Sequence, residues 1–137
     1  MNVEYTINKD ITVDEFVSVL KSSTLAERRP VDDLVCMRGM LEHANLIVQA
    51  RINSKLVGVV RSVTDFNYCC YLSDIAVDKS YQSQGIGRKL IELTREQLGR
   101  HCKLILLSAP AAVEYYPKLG FLKHDQAWLI SADQPLL

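Results

Sequence analysis

Residues 72–90 read Leu72-Ser73-Asp74-Ile75-Ala76-Val77-Asp78-Lys79-Ser80-Tyr81-Gln82-Ser83-Gln84-Gly85-Ile86-Gly87-Arg88-Lys89-Leu90. The first part is a strand-like run ending at Val77, and Ile86 and Leu90 open an apolar stripe of helical period. Between them lies the turn Gln82 to Gly87, which carries two glycines. Glycine lets a backbone take positive φ and approach a ligand without a Cβ in the way. The first N–H groups of the helix after the turn lack intrahelical partners and sit at the positive end of its dipole. A strand, a glycine turn and a helix start in this order make an anion site suited to a pyrophosphate. A dinucleotide fingerprint would need a third glycine where Leu90 stands, and the Walker A string is absent.

Outward from this turn, the rest of the chain reads as alternating elements. Upstream, residues 68–77, 56–63 and 46–52 form a three-stranded meander, with loops at Asn53-Ser54-Lys55 and residues 65–67. Residues 32–44 read as a helix interrupted by Gly39. Thr12 and Glu15 form a capping box before the stripe Val13, Phe16, Val17 and Leu20, a helix ending near Ser22. Residues 3–7 alternate weakly, as a first strand would. Downstream, Ile86, Leu90, Leu93 and Leu98 predict a helix over residues 85–98 with Gly99 as its C-cap. Residues 103–108 contain the run Leu104–Leu107, the pattern of a strand buried on both faces. Residues 111–119 predict a helix that Pro117 kinks or shortens, and residues 121–130 supply one or two closing strands at most. The expected order is βααβββαβαβ, within one domain over residues 1–137.

Composition narrows the functional classes. The chain has 137 residues, 48% of them apolar, and sixteen basic side chains balance sixteen acidic ones. A protein that tracks a phosphate backbone would carry a basic excess, so nucleic acid is not the expected partner. No apolar run approaches the length of a membrane span, and the start Met1-Asn2-Val3-Glu4 lacks signal-peptide character, so a cytoplasmic location is expected. Cys36, Cys69, Cys70 and Cys102 have neither the spacing nor the neighbouring histidines of a zinc site, and read as reduced, mostly buried thiols with no metal.

The string Gln82-x-x-Gly85-x-Gly87 after a strand resembles the pyrophosphate loop of the GNAT superfamily of N-acetyltransferases. Two further stretches are similar to that family. Residues 72–78 resemble its fourth strand, and Ala112-Val113-Glu114-Tyr115-Tyr116-Pro117-Lys118-Leu119-Gly120-Phe121 resembles its second motif. The resemblance implies a mixed α/β fold whose central sheet splays between strands 4 and 5, flanked by helices, with acetyl-CoA in the gap as co-substrate. By the same resemblance, the backbone of Ile75, Ala76 and Val77 pairs with the pantetheine arm. The amides of Gln82, Ser83, Gln84, Gly85, Ile86, Gly87 and Arg88 hold the pyrophosphate. Arg88 and Lys89 either add charge there or are solvated helix-surface cations.

The implied reaction is direct attack of a primary amine on the thioester, without a covalent enzyme intermediate. Tyr116 matches the family tyrosine near the CoA sulfur and is the expected general acid. Asp74 is the candidate base if it faces the splay; otherwise it points away and caps a neighbouring loop. His43, His101 and His124 are isolated in sequence, and Glu114 is a lesser candidate. Ala109 stands where many family members have an asparagine, which leaves Ser108 or water to substitute. Arg28 and Arg29, in the loop before the second helix, either hold an acidic group of the acceptor or pair with Asp32 and Asp33. Arg61 and Asp65 are weaker candidates for the acceptor gap. A short sheet with an open edge suggests a homodimer. The expected function is acetylation of a small-molecule amine; a protein amine, or a non-catalytic acyl-CoA sensor, are the alternatives.

Overall fold

The computed structural model describes residues 2–137. The chain divides into two compact units, Met1–Leu107 and Ser108–Leu137.

The first unit holds a five-stranded sheet in the order β1-β2-β3-β4-β5. Its strands are β1 (Glu4–Ile7), β2 (Leu46–Ile52), β3 (Lys55–Thr64), β4 (Cys69–Val77) and β5 (Lys103–Leu106). Neighbours are antiparallel through β4, and β4 and β5 are parallel. The β2–β3 hairpin closes on Asn53 and Ser54, with φ of 49° and 68°, so Lys55 belongs to the strand instead of the loop. Two central residues at positive φ give the turn twist that matches paired strands.

Helices α1 (Val13–Ser22) and α2 (Leu34–His43) cover one face of the sheet. The capping box starts α1 as its sequence predicts: Glu15 N–H donates to Thr12 Oγ1 at 3.1 Å, and Thr12 N–H to Glu15 Oε1 at 3.0 Å. Helix α2 starts later than residue 32, because Asp33 caps it by accepting from Cys36 N–H at 3.0 Å. The helix then runs on through Gly39. Phe16, Leu20 and Met37 are fully buried against Ile47, Val59 and Ala76 of the sheet. Each such side chain contributes about 1.5–3 kcal/mol by leaving water.

Helix α3 (Ile86–Glu96) packs on the other face. Successive strand residues face opposite sides, so Gly58 meets α3 while Val59 meets the first two helices. A Cβ at Gly58 would lie 3.1 Å from Leu90 Cδ1 and 3.2 Å from Ile86 Cγ2. The missing side chain lets α3 come close. The helix ends at Glu96 with Gln97 as cap, so Gly99 is not the C-cap the sequence suggests. Gly99 instead passes tightly under the β3–β4 turn, its N–H donating to Phe66 C=O at 2.8 Å.

Strand β5 departs from its expected double burial. It ends the sheet, its residues alternate in exposure, and Ile105 is 51% exposed. Ile105 is in register with Tyr71, itself in register with Val63, and all three side chains are exposed. The thiols also differ from expectation: Cys70 is buried and Cys102 half-buried, but Cys36 and Cys69 are exposed.

The second unit holds a 3₁₀ turn, Pro110–Ala112, and a short helix α4 (Tyr115–Lys118). Pro117 is tolerated because its missing N–H falls among the first-turn donors that have no intrahelical partner. A helix over residues 111–119 would have placed it in the interior. The closing strands expected in residues 121–130 do not form. Lys123 to Gln126 make a polar turn, in which Gln126 N–H donates to His124 Nδ1 at 3.1 Å. Ser131 to Gln134 make another, in which Ser131 N–H donates to Gln134 Oε1 at 2.8 Å. Between the turns, residues 127–130 pair with no strand among the described residues.

Candidate active site

The site begins at an interruption in β4. Arg61 is in register with Asp74 and Ser62 with Leu72, so Ser73 is an extra residue, a bulge. On the other side of β4, pairing with β5 covers only Cys69 to Leu72. Residues 73–77 therefore keep β3 on one edge and, among the described residues, have no strand on the other. This is the splay between strands 4 and 5 that the family resemblance implies.

Alternation decides which main-chain groups face the open edge. Asp78 N–H donates to Val57 C=O at 2.8 Å, which points Asp78 toward β3. Ala76, two residues earlier, points the same way. Ile75 and Val77 therefore present their N–H and C=O groups to the open side. The Val77 carbonyl is held by the side chain of Gln82, whose Nε2 donates at 2.9 Å. Of the three strand residues expected to meet a pantetheine arm, Ala76 is committed to the sheet.

The glycine turn comes directly after the strand. A 3₁₀ turn over Lys79–Tyr81 is started by Asp78, whose Oδ1 accepts from Ser80 N–H at 2.8 Å. Ser83 and Gly85 take left-handed conformations, with φ of 62° and 85°. Gly85 is the N-cap of α3 and supplies no side-chain acceptor. The first bond within the helix runs from Lys89 N–H to Gly85 C=O at 3.1 Å, so the N–H groups of Ile86, Gly87 and Arg88 precede the ladder. Gln82, Ser83, Gln84, Gly85, Arg88 and Lys89 are exposed and Gly87 is half-buried, whereas Ile86 turns its side chain into the core. Backbone donors at an exposed helix start, with no acidic residue in the first turn, suit an anion. Lys89 lies 3.7 Å from Glu92, an i,i+3 surface pair.

Asp74 does not end in an open gap. Its side chain is wholly buried, and its two oxygens are taken by two guanidinium groups. Arg29 Nε donates to Oδ1 at 2.5 Å, and Arg61 Nε donates to Oδ2. Of the two readings of Asp74 the sequence leaves open, the geometry matches the one that ties down a loop. Arg29 therefore has its partner 45 residues away and not in Asp32 or Asp33. Arg28 is exposed. Asp65 closes the β3–β4 turn, accepting from the N–H groups of Asn67, Tyr68 and Cys69 at 2.9, 2.8 and 3.0 Å. These donors hold its carboxyl down at about 2.

In the second unit, Tyr116 is the buried aromatic of α4, packed edge-on between Tyr115 and Phe121 at centroid distances of 5.3 and 5.5 Å. Burial, and then the neighbouring Tyr115, push its phenol above the ordinary value of 10.0. It remains a proton donor throughout neutral pH. Ser108, at the start of this unit, is half-buried, and Glu114 is exposed. His43, His101 and His124 are exposed.

Two features escape sequence reading. The Gln82 side-chain tie has no pattern that announces it. The Arg61–Asp74 pair could have been found only from the strand register, which sets a cation and an anion opposite each other on inward positions.

Known proteins are similar to this chain. The profile of the acetyltransferase (GNAT) domain matches residues 15–128. A protein of Pyropia yezoensis, "uncharacterized N-acetyltransferase ycf52", is 27% identical over 118 residues, covering 85% of this chain and 68% of its own length. "Histone acetyltransferase TAP1" of Glycine max is 41% identical over 69 residues, covering 49% of this chain and 30% of its own length. The chain thus spans less than a third of the soybean protein. Among solved structures, a probable acetyltransferase of Staphylococcus aureus, SA2161, superposes with a TM-score of 0.76 at 20% identity, covering 95% of this chain and 99% of its own. Aminoglycoside N-acetyltransferase AAC(6')-Iy, solved with CoA, gives a TM-score of 0.72 at 14% identity, over 97% of this chain and 96% of its own. With its splayed sheet, its glycine turn and a profile match over most of its length, the chain belongs to the GNAT acetyltransferase family.

Proposed function

We propose that residues 1–137 work as one acetyl-CoA-dependent N-acetyltransferase domain that moves the acetyl group to the primary amine of a small molecule. The observation that carries this reading is the open edge of β4, residues 73–77, leading directly into the uncapped start of α3. An extended pantetheine arm fits the first as an added strand would, and a pyrophosphate fits the second.

In this reading, Ile75 and Val77 offer the main-chain groups that align the arm. The N–H groups from Gln82 to Arg88 hold the pyrophosphate, and Ser108 is the further residue assigned to the cofactor. The amine nitrogen attacks the thioester carbon, the C–S bond breaks, and the departing sulfur takes the proton of the Tyr116 hydroxyl. A positioned acid of this kind gives about a hundred- to ten-thousand-fold in rate. The proton lost by the amine goes to water, since both oxygens of Asp74 are already engaged. Arg28, exposed in the loop before α2, is the residue assigned to an acidic group of the acceptor. Pairing of the outer edge of β5 with a second copy would give a homodimer.

Thiol release from acetyl-CoA with a panel of amines tests the reading, with Tyr116→Phe beside the wild type. Turnover with a small amine, lowered about 100-fold or more in the variant at unchanged KM for acetyl-CoA, is the expected result. Because the phenol is raised, its alkaline limb should lie above about pH 10. Tight CoA binding without turnover for any acceptor would indicate a sensor module. Turnover only with histone peptides would move the acceptor to a protein amine, histone being the substrate in the soybean relative's name.

A further inference from the structure

Asp74, Arg29 and Arg61 converge on the one irregular residue of β4. Arg29 reaches it from the loop before α2, and its Nη2 donates to the Ser73 carbonyl at 2.8 Å. Arg61 reaches it from β3, and its Nη2 donates to Ser73 Oγ at 2.7 Å. The bulge residue is gripped through both its carbonyl and its side chain, while Asp74, the next residue, binds the two guanidinium groups together. The remaining donors point back into the helical layer: Arg61 Nη1 to Met40 C=O at 3.2 Å and Arg29 Nη1 to Arg28 C=O at 2.8 Å.

A bulge bends its strand and re-aims the residues beyond it. Here the bulge lies where pairing with β5 stops and the open edge begins. An unsupported bulge has a choice of conformations. This one is held by charge-assisted bonds from two elements, with the carboxylate at 0% side-chain exposure and Arg61 at 8%. We propose that Arg29, Asp74 and Arg61 form a positioning clamp that locks the Ser73 bulge, sets the direction of the β4 edge that takes the cofactor, and couples that edge to the acceptor-side loop before α2. Asp74 then serves the transfer reaction without exchanging a proton with the amine. This rests on the acetyltransferase reading for its kinetic effects, but the clamp also has a consequence for CoA binding that needs no turnover.

The test compares Asp74→Asn, Arg29→Met, Arg29→Lys and the Asp74→Asn/Arg29→Met double variant in the full chain. It uses calorimetric CoA titration, thiol-release kinetics per folded molecule, and the pH profile of kcat/KM. The clamp predicts about tenfold weaker CoA binding and about a 10- to 100-fold lower kcat/KM in each loss variant, since small misplacements of a reacting group are costly. Arg29→Met should match Asp74→Asn although an arginine is no base. The double variant should be no worse than either alone, and Arg29→Lys should recover part of the loss. The acidic limb of the Asp74→Asn profile should stay at the wild-type pH.

Loss of that limb with a normal Arg29→Met variant would make Asp74 the base and overturn the clamp. Additive losses in the double variant would overturn it too, as would wild-type CoA affinity and kinetics with only a lower Tm. If Asp74→Asn fails to fold, the two Arg29 variants carry the test through CoA affinity and the KM-against-kcat split. If the wild type turns over no amine, the acetyltransferase reading fails, while the CoA titrations still decide the clamp.

Discussion

The two ends of β4 are one continuous strand with opposite uses. Cys70 to Leu72 have β3 on one edge and β5 on the other, whereas residues 73–77, among the described residues, have only β3. In the first half the backbone groups are committed to the sheet. In the second, every other residue turns its N–H and C=O outward. The boundary is a single extra residue, Ser73. An open edge has thus been made in the interior of a sheet, where edges are otherwise absent, by ending one partner early and bending the other. A row of unpaired strand groups is a hazard in most proteins; here it is short and confined to the gap.

If the halves differ in this way, damage to them should separate stability from ligand affinity. The largest effect is expected from Ala76→Pro, which removes an N–H that faces β3. It should abolish cooperative folding or lower Tm by tens of degrees, read by circular dichroism. Leu72→Ala empties a buried position in the doubly paired half. It should cost about 2–5 kcal/mol in denaturant unfolding while leaving the KM for acetyl-CoA of the folded protein unchanged. Gly85→Ala forces a side chain into a left-handed position, with φ of 85°. It should cost about 1–2 kcal/mol and weaken CoA binding together, since the same turn does both jobs.

Ile75→Pro removes an N–H from the open edge and no ladder bond. A several-fold rise in KM for acetyl-CoA, about the worth of one hydrogen bond, should come with a far smaller loss of Tm than Ala76→Pro. Equal effects of the two prolines would end the distinction between inward and outward residues. The smallest effect lies outside the strand and serves as a control. The Arg51 guanidinium and the Thr12 N–H hold the Glu15 carboxyl at about 2. A carboxyl lowered on folding adds stability above its unfolded value of about 4.3 and loses it as pH falls toward 2. With a third of the side chain exposed, solvent screening keeps this to about 1 kcal/mol. Glu15→Gln should flatten that part of the stability profile without touching CoA affinity.

How far a sequence can be read depends on the range of the forces involved. Thr12, Glu15 and the stripe through Leu20 describe α1 because caps and helical periods are local. Residues 46–52 show strand β2 with its observed ends, and the string from Gln82 to Gly87 describes its turn because backbone conformation there depends on glycine. The long-range part was out of reach. Nothing near Arg29 shows that its partner is Asp74, and Asp32 and Asp33 were the natural candidates by proximity along the chain. Asp33 in fact caps α2. Likewise, the apolar run Leu104–Leu107 suggests burial on both faces, but a strand at the end of the sheet leaves Ile105 exposed. Residues 121–130 show how little an apolar, strand-like composition means without a neighbour to pair with.

The close contact of α3 with β3 at Gly58 has a consequence for the substrate. Acetyl-CoA is a long molecule whose acyl end and phosphate end must be gripped at a fixed separation, and in the proposed reading the two grips belong to different elements, a strand edge and a helix start. The gauge between them is a hydrogen atom at position 58. A methyl there would press on Leu90 Cδ1 and Ile86 Cγ2 at 3.1–3.2 Å, and these side chains of the helix would have to give by a few tenths of an ångström. In that reading, a residue that touches neither end of the cofactor sets the separation at which the two ends are held.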